Sequence, residues 1–265
     1  PIVMSKSCYN LFMTIVFTGG GTGGHFYPII AIAEALDDLV REKRLIAPAL
    51  YYLAPNSFDE KALFANGITY VHVPAGKMRR YASFKNITDF FITMLGIFSA
   101  SITLFRLYPD VVVSKGGYGS VPTVLAARLL RIPVIIHESD AKPGRANLLA
   151  AKFAVKIAIS FESAAKYFPE RVQSKIARTG IPIRKALMRT ETEGAQQYLK
   201  LEKDIPTILI LGGSQGALKI NEMLLSSLSR LVSFANIIHQ TGHVHFANVQ
   251  AVASVVLGKD PHVDR

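Results

Sequence analysis

Cysteine and tryptophan are scarce in this chain of 265 residues, which contains one cysteine, Cys8, and no tryptophan. A single cysteine excludes an internal disulfide framework and a cysteine-based zinc cluster, and it suits a reducing cytoplasm. Acidic residues are also few, because 19 Asp and Glu stand against 30 Lys and Arg and leave a formal net charge of +11. This charge favours an anionic partner, and three kinds compete: nucleic acid, anionic lipid head groups and a diphosphate.

Several classes of protein require sequence patterns that are missing here. We find no nucleic-acid-binding module and no basic stripe interleaved with aromatic residues, so no nucleic acid partner is expected. Lys6 precedes an apolar run at residues 11–17, but that run has no cleavage-site pattern, and a signal peptide is not expected. His239 and His243 are four residues apart without a third ligand at a fitting spacing, so no metal site is expected.

The most informative stretch is the glycine-rich segment at residues 18–25, which follows a short apolar run and precedes a helical pattern. Glycines let the backbone approach a diphosphate, and a helix start presents free N–H groups to an anion. The segment lacks the later carboxylate of a dinucleotide site, and His25-Phe26 replaces the Lys and Ser or Thr of a P-loop. It therefore predicts a phosphate cradle without a nicotinamide cofactor or triphosphate hydrolysis; a tight turn with no ligand is the alternative.

Two more glycine turns follow apolar strands, at residues 115–120 and 212–216, one in each half of the chain. The predicted fold class is therefore α/β, with a doubly wound parallel sheet in each half. We expect strands near 13–17, 49–53, 69–73, 110–114, 132–137, 155–160, 206–211 and 236–240. We expect helices near 28–43, 59–66, 84–107, 120–131, 143–153, 162–168, 191–202, 215–232 and 244–257.

Five motifs in a fixed order carry a specific resemblance. They are residues 18–25 with Pro28, 116–118 with Pro122, 137–140, 180–184, and 212–217 with Asn221. In order and spacing they resemble the bacterial lipid I N-acetylglucosaminyltransferases, the MurG family, over residues 13–250. The resemblance implies a GT-B fold of two Rossmann-like domains across a cleft. Residues 1–180 would be the N-terminal acceptor and membrane-side domain, and residues 181–265 a partial C-terminal UDP-sugar-binding domain.

The resemblance also implies an activity and a location. This family moves N-acetylglucosamine, with inversion, from UDP-N-acetylglucosamine to the C4 hydroxyl of the N-acetylmuramoyl unit of lipid I. The product is lipid II for peptidoglycan synthesis, and no metal or cofactor is required. The expected partners are UDP-N-acetylglucosamine, lipid I, an anionic membrane surface and possible cell-wall assembly proteins. The expected location is the cytoplasmic face of the cell membrane, as a peripheral protein.

Site residues are assigned by motif from the same resemblance. The donor-contacting positions are Thr22, Gly23, Gly24, Asp140, Arg184 and Ser214, and the third glycine turn adds Gln215 and Gly216. The loops expected to meet the acceptor diphosphate contain Gly20, Gly21, Gly116, Gly117 and Tyr118. Asp140 departs from the family, which usually has Asn there, and an ionised Asp can only accept hydrogen bonds.

Two residues compete as the base that takes the acceptor proton. His25 titrates near neutrality and lies at the mouth of the cradle; alternatively, it donates to a phosphate or caps a neighbouring loop. Glu138 follows a predicted buried strand and is expected at that strand's carboxyl end; alternatively, it accepts hydrogen bonds from loop N–H groups. Arg184 is expected to neutralise the diphosphate.

A basic cluster at residues 77–81, with Lys85, precedes an unusually apolar run at 87–107. Basic charge beside apolar residues is typical of proteins on an anionic membrane surface. The run is long enough to span a membrane, but it lies between two predicted strands, where parallel topology requires a crossover helix. Three interpretations stay open: a spanning helix, an ordinary crossover helix, and a crossover helix with a membrane-dipping face.

The C-terminal half departs from the family, in which a longer segment follows and supplies the uracil and ribose contacts. We therefore expect half of a doubly wound domain, with an unpaired strand edge that favours poor solubility or self-association. The alternative functions are a non-catalytic module or fragment that binds acceptor lipid, a related GT-B transferase with another lipid acceptor, and a UDP-sugar epimerase.

Overall fold

The computed structural model describes residues 13–77, 85–189, 192–213 and 216–258. Several positions discussed above lie outside the described residues: Cys8, residues 78–81 of the basic cluster, Ser214 and Gln215. The chain divides into two compact units, Pro1–Met188 and Arg189–Arg265. Both units combine parallel strands with helices.

The first unit is built on one sheet of parallel strands: β1 (Thr14–Thr18), β2 (Ala49–Ala54), β3 (Ile68–His72), β4 (Val111–Ser114), β5 (Val134–Glu138), β6 (Lys156–Ile159) and β7 (Ile176–Arg178). These seven strands follow the order β3-β2-β1-β4-β5-β6-β7. The interior strand β1 is buried along its whole length, as expected for a parallel strand that is covered on both faces. Its β-branched and aromatic residues favour the extended backbone.

Helices cover both faces of this sheet: α1 (Gly23–Glu42), α2 (Glu60–Ala65), α3 (Lys85–Leu107), α4 (Val121–Leu129) and α5 (Arg145–Ala151). Alternate residues of β1 point to opposite faces, as the strand period of two requires. Ile15 and Phe17 join a core cluster with residues of α1, whereas Val16 joins a cluster with residues of α3 and α4. The apolar run at the start of the chain therefore holds both layers of the core together.

The long apolar helix α3 connects β3 to β4, as the crossover interpretation predicted. Ala100 and Leu104 on one side are fully buried in the core. The opposite side carries large apolar side chains that are exposed, such as Phe91, Phe98 and Phe105. Within the described residues, Asn86–Leu107 is one helix that is long and apolar enough to cross a membrane by length and composition, and 17% of its most apolar window is buried.

The second unit contains α6 (Thr192–Tyr198), β8 (Thr207–Leu211), α7 (Leu218–Val232), β9 (Asn236–Gln240) and α8 (Phe246–Leu257). The strands β8 and β9 pair in parallel and form a two-stranded sheet. A small core joins Leu228 and Val232 of α7 to Leu257 of α8. Leu209 and Leu211 of β8 remain about 60% exposed, so one face of this sheet has no cover among the described residues.

Three of the elements that differ from the sequence expectation are α1, the segment at residues 162–167 and β7. The helix α1 begins at Gly23 rather than near residue 28, because the glycines after the extended residue Thr22 take helical geometry. Residues Glu162–Tyr167 form a 3₁₀ helix, of which only Ala164 is buried. The strand β7 was not predicted, since its three residues lack an apolar pattern and become a strand by pairing with β6.

Candidate functional site

The glycine loops that follow β1 and β4 interlock at the carboxyl end of the sheet. Gly117 has φ 78°, and a Cβ placed on it would lie 2.2 Å from the carbonyl oxygen of Gly20. A Cβ on Gly21, which has φ 103°, would lie 2.8 Å from Cε1 of Tyr118. Both positions combine a left-handed backbone with a close approach, which only glycine accepts without strain. The two predicted acceptor loops are thus adjacent.

The first turn of α1 holds Thr22, Gly23, Gly24 and His25. Thr22 is the N-terminal cap residue, and its hydroxyl lies 2.9 Å from Nδ1 of His25. When the proton is on Nδ1, this atom donates to the threonine hydroxyl, and Nε2 keeps the lone pair that a general base needs. No acidic side chain occupies this first turn, so its free N–H groups and positive dipole end remain favourable for an anion.

His25 lies in a mixed electrostatic environment. Burial is the main cause that lowers the pKa of His25 below 6.5, and the positive charge of Lys115 lowers it further. The carboxylates of Asp140 and Glu138 oppose this effect and raise the pKa. On balance the imidazole is unprotonated at neutral pH, which is the form that accepts a proton.

Glu138 is buried at the carboxyl end of β5, and its carboxylate accepts three hydrogen bonds from the following loop and from α5. Oε1 accepts a hydrogen bond from the backbone N–H of Asp140 at 2.9 Å. Oε2 accepts from the backbone N–H of Gly144 and from Nδ2 of Asn147, each at 2.9 Å. This arrangement matches the loop-stabilising alternative for Glu138. Asp140 itself is exposed on that loop.

Arg184 lies after the Gly180 turn and stacks on α1. Its guanidinium carbon is 3.9 Å from the ring centroid of Tyr27, and its Nε is buried without a hydrogen-bond partner. The turn is anchored at the Gly180 carbonyl, which accepts hydrogen bonds from Nε2 of His137 and Oγ of Ser160, each at 3.0 Å. Burial and the charge of Lys115 lower the pKa of His137 to about 4, so this anchor is neutral at physiological pH.

A cavity of about 650 Å³ brings five of the predicted site residues together. The full lining is His25, Gly76, Asn86, Asp89, Phe90, Thr93, Gly117, Tyr118, Val121, Glu138, Asp140, Gly144, Arg145, Ala146, Asn147 and Leu149. It opens from the glycine loops toward the start of α3 and the start of α5. From α3 the lining takes three polar residues, Asn86, Asp89 and Thr93, and one aromatic residue, Phe90.

The remaining predicted residues lie around this cavity or apart from it. Thr22, Gly21 and Gly116 contact residues of its lining. Gly216 lies in the second unit, where its N–H donates to the Gly213 carbonyl at 2.9 Å. A smaller cavity of about 320 Å³, at the other end of α1, contains none of the predicted residues in its lining.

Sequence reasoning missed three residues of this region: Lys115, Asn147 and Tyr27. Lys115 is buried at the end of β4, and Oδ1 of Asn147 is buried without a hydrogen-bond partner. A lysine placed between an apolar strand and a glycine turn was a visible signal for the first. Nothing in the spacing of Asn147 or Tyr27 distinguishes them from ordinary helical residues.

The fold and this site define a class: a Rossmann-like α/β protein of the GT-B type, with glycine loops at the carboxyl ends of its strands. The chain matches the glycosyltransferase family 28 N-terminal domain over residues 15–159 and the C-terminal domain of that family over residues 207–262. It belongs to glycosyltransferase family 28, and the fold class and the resemblance predicted from the five motifs are confirmed.

Two curated relatives carry the same enzyme name, UDP-N-acetylglucosamine--N-acetylmuramyl-(pentapeptide) pyrophosphoryl-undecaprenol N-acetylglucosamine transferase. The relative from Treponema denticola is 36% identical over 93% of this chain and 64% of its own length. The relative from Bacillus cereus, number 2 of that name, is 40% identical over 86% of this chain and 62% of its own length. The chain thus spans less than two thirds of these relatives.

Solved structures give the same fold. MurG of Acinetobacter baumannii has a TM-score of 0.60 and 26% identity, over 94% of this chain and 63% of that chain. MnaA of S. aureus, solved with UDP, has a TM-score of 0.62 and 16% identity, over 94% of this chain and 66% of that chain. At that identity the second likeness concerns the fold alone.

Proposed function

We propose that the protein acts in an inverting transfer of N-acetylglucosamine from UDP-N-acetylglucosamine to the C4 hydroxyl of the N-acetylmuramoyl unit of lipid I, which forms lipid II. Family membership and the names of the Treponema and Bacillus relatives support this activity. The observation that carries it is the cavity in which His25 borders the glycine loops at the end of a Rossmann-like sheet. We propose no metal or cofactor for the reaction.

The acceptor is proposed to enter the cavity with its diphosphate toward the glycine loops. Gly20, Gly21, Gly116 and Gly117 let the two loops pack closely, and N–H groups of these loops are proposed to face the phosphate oxygens, except that of Gly116, which donates to Oγ of Ser114 at 3.2 Å. Tyr118 forms a wall of the same cavity, and the Lys77 ammonium lies 5.3 Å from its ring centroid. A positive charge at this wall favours an anionic acceptor.

His25 is proposed as the general base and Glu138 as the residue that holds the loop. Nε2 of His25 takes the proton of the acceptor C4 hydroxyl while the hydroxyl oxygen attacks C1 of the donor sugar. The bond from C1 to the diphosphate oxygen breaks, and UDP leaves with its electron pair. The Glu138 carboxylate accepts three hydrogen bonds from N–H groups, which supports this division of roles.

The donor is proposed to contact Thr22, Gly23, Gly24, Asp140, Arg184, Ser214, Gln215 and Gly216. Arg184 would carry positive charge to the leaving diphosphate, because its guanidinium is held on Tyr27 and its Nε has no protein partner. Asp140 is exposed and can accept from a sugar hydroxyl. Of these contacts, that of Arg184 acts on the negative charge that develops on the leaving diphosphate.

The protein is proposed to lie on the cytoplasmic face of the membrane through α3. Its exposed side presents Phe90, Phe91, Leu95, Phe98 and Phe105, each more than 60% exposed. An apolar helix face of this kind can enter the boundary between head groups and acyl chains, and the positive net charge adds attraction to anionic lipid. The cavity opens beside the start of this helix, where a lipid-linked acceptor would arrive.

The activity is tested by incubating the 265-residue chain with UDP-N-acetylglucosamine and a soluble lipid I analogue in detergent, with product detection by mass spectrometry. We expect a disaccharide product with the wild-type chain, none with His25→Ala, and an unchanged amount with His243→Ala, which alters an exposed histidine. Binding of the acceptor without binding of the nucleotide sugar would instead identify an acceptor-binding module. An altered UDP-sugar by chromatography would identify an epimerase.

A further inference from the structure

The buried Lys115 links two loops of the site. It is 3% exposed and stands between the end of β4 and the glycine turn at Gly116. Its backbone N–H donates to the Thr18 carbonyl at 2.8 Å, and its ammonium donates to Oγ of Ser139 at 2.6 Å. Lys115 thus joins the ends of β1 and β4 to the loop that follows β5. It does not line the cavity.

A buried ammonium is costly unless opposite charge or hydrogen bonds compensate for lost water. Here Ser139 supplies a neutral acceptor, and Glu138 and Asp140 supply the nearby negative charge. Burial lowers the pKa of Lys115 to about 8, and these two carboxylates oppose that effect. The ammonium is therefore mostly charged at neutral pH.

The backbone of His25 and the Cβ of Lys115 both flank Gly19. A Cβ placed on Gly19 would lie 2.9 Å from the His25 carbonyl oxygen and 3.2 Å from Cβ of Lys115. The loop that Lys115 begins also passes His25, because a Cβ on Gly117 would lie 3.3 Å from its Cδ2. The charged groups that act on His25 are Lys115 after β4, and Glu138 and Asp140 at the end of β5.

We propose that Lys115 is a positioning residue for His25: its ammonium, anchored on Ser139, presents a buried positive charge that offsets the two neighbouring carboxylates and so disfavours protonation of the imidazole. The inference rests on the proposed role of His25 as base. Without this charge, burial still disfavours the protonated imidazole, but no positive charge offsets the carboxylates of Glu138 and Asp140, and the protonated form gains stability. The positive charge of Lys115 thus offsets part of the negative charge at the carboxyl end of β5.

The direct test is the titration of His25 by NMR, with its signal assigned from the spectrum of His25→Gln. In Lys115→Met the pKa of His25 is expected to rise by roughly half a pH unit, as befits a partly screened charge pair. Lys115→Gln is expected to give the same rise, and it keeps a hydrogen-bond partner for Ser139. Lys115→Arg retains the charge and is expected to retain the low pKa.

The matched control is Lys175→Met, because the Lys175 ammonium donates to the Ala154 carbonyl at 3.0 Å in another part of the unit. This variant is expected to leave the His25 titration unchanged. An unchanged His25 pKa in both neutral variants would overturn the proposal. So would the failure of both neutral variants to fold while Lys115→Arg folds, since Lys115 would then only support the fold.

The activity profile separates this inference from the proposed function. If the chain transfers sugar, the acid limb of its pH profile is expected to move to higher pH in Lys115→Met and to stay in place in Lys115→Arg. If the chain transfers no sugar, the proposed function fails, but the NMR titration still decides whether Lys115 controls the His25 proton. If Lys115→Met shifts the NMR titration of His25 but leaves the acid limb of the pH profile in place, Lys115 controls the His25 proton but this control is not used in sugar transfer.

Discussion

Replacement of Glu138 by Gln separates a loop-holding carboxylate from a catalytic base. The carboxylate accepts three hydrogen bonds of 2.9 Å, from the backbone of Asp140 and Gly144 and from Asn147. A Gln side chain has one oxygen, so its NH₂ group would face at least one N–H donor. The loss of one hydrogen bond to a charged, buried group costs about 1.5–3 kcal/mol.

Two assays measure this loss. With a urea m-value of about 2 kcal/mol/M, the unfolding midpoint of Glu138→Gln is expected to fall by about 1 M. Hydrogen exchange is more local, and the amides of Asp140 and Gly144 are expected to lose protection. Glu162→Gln changes an exposed glutamate of the 162–167 segment and serves as the matched control. If Glu138→Gln unfolds like wild type but abolishes transfer, Glu138 is the base and our division of roles is wrong.

Three further predictions concern pH, backbone geometry and the membrane. Because the pKa of His137 is lowered to about 4, the unfolded chain binds more protons than the folded chain between pH 6.5 and 4. The contribution of His137 to stability is full above this range and is lost as the pH falls through it. In urea titrations at several pH values, His137→Gln is expected to flatten this dependence. Gly117→Ala is expected to lower the free energy of unfolding by more than about 2 kcal/mol in the same assay, because Gly117 has a φ of 78° and its Cβ would contact the Gly20 carbonyl. Gly194→Ala is the control and is expected to be tolerated, since a Cβ there would have nothing within 4 Å. Phe98→Ser on α3 is expected to reduce the fraction of protein that sediments with anionic vesicles. Phe64→Ser changes an exposed residue of α2 and is expected to leave that fraction unchanged. Equal effects of the two variants would refute a membrane role for α3.

The central part of the fold was predictable because its sequence signals are local. The apolar run of β1, the glycine segment after it and the helical spacing after Pro28 each specify their own element. The position of α3 followed from topology, since two parallel strands need a crossover between them. His25 lies beside the glycine loops because loops at the carboxyl ends of neighbouring strands meet.

The rest depended on contacts that no local pattern encodes. The strand β7 exists because Ile176 pairs with Ile157 of β6, and its exposed residues carry no apolar signal. Two of the hydrogen bonds to Glu138 come from Gly144, at the start of α5, and from Asn147 within α5. No local pattern encodes these contacts, so the sequence alone could not decide between a general base and a loop-stabilising acceptor. The bond between Lys115 and Ser139 joins residues from two separate strand ends, and neither residue type predicts it.

The strand order has a consequence for how the protein is made. The interior strand β1 pairs on one side with β4, and the bond from the Thr14 N–H to the Asp110 carboxylate spans 96 positions of sequence. Closing so long a loop is slow, so the two glycine loops come together only late in folding. During synthesis β1 emerges well before β4, and until β4 pairs with it one edge of β1 exposes unpaired backbone N–H and C=O groups. The nascent chain is therefore most vulnerable to misassociation before residue 120 has left the ribosome.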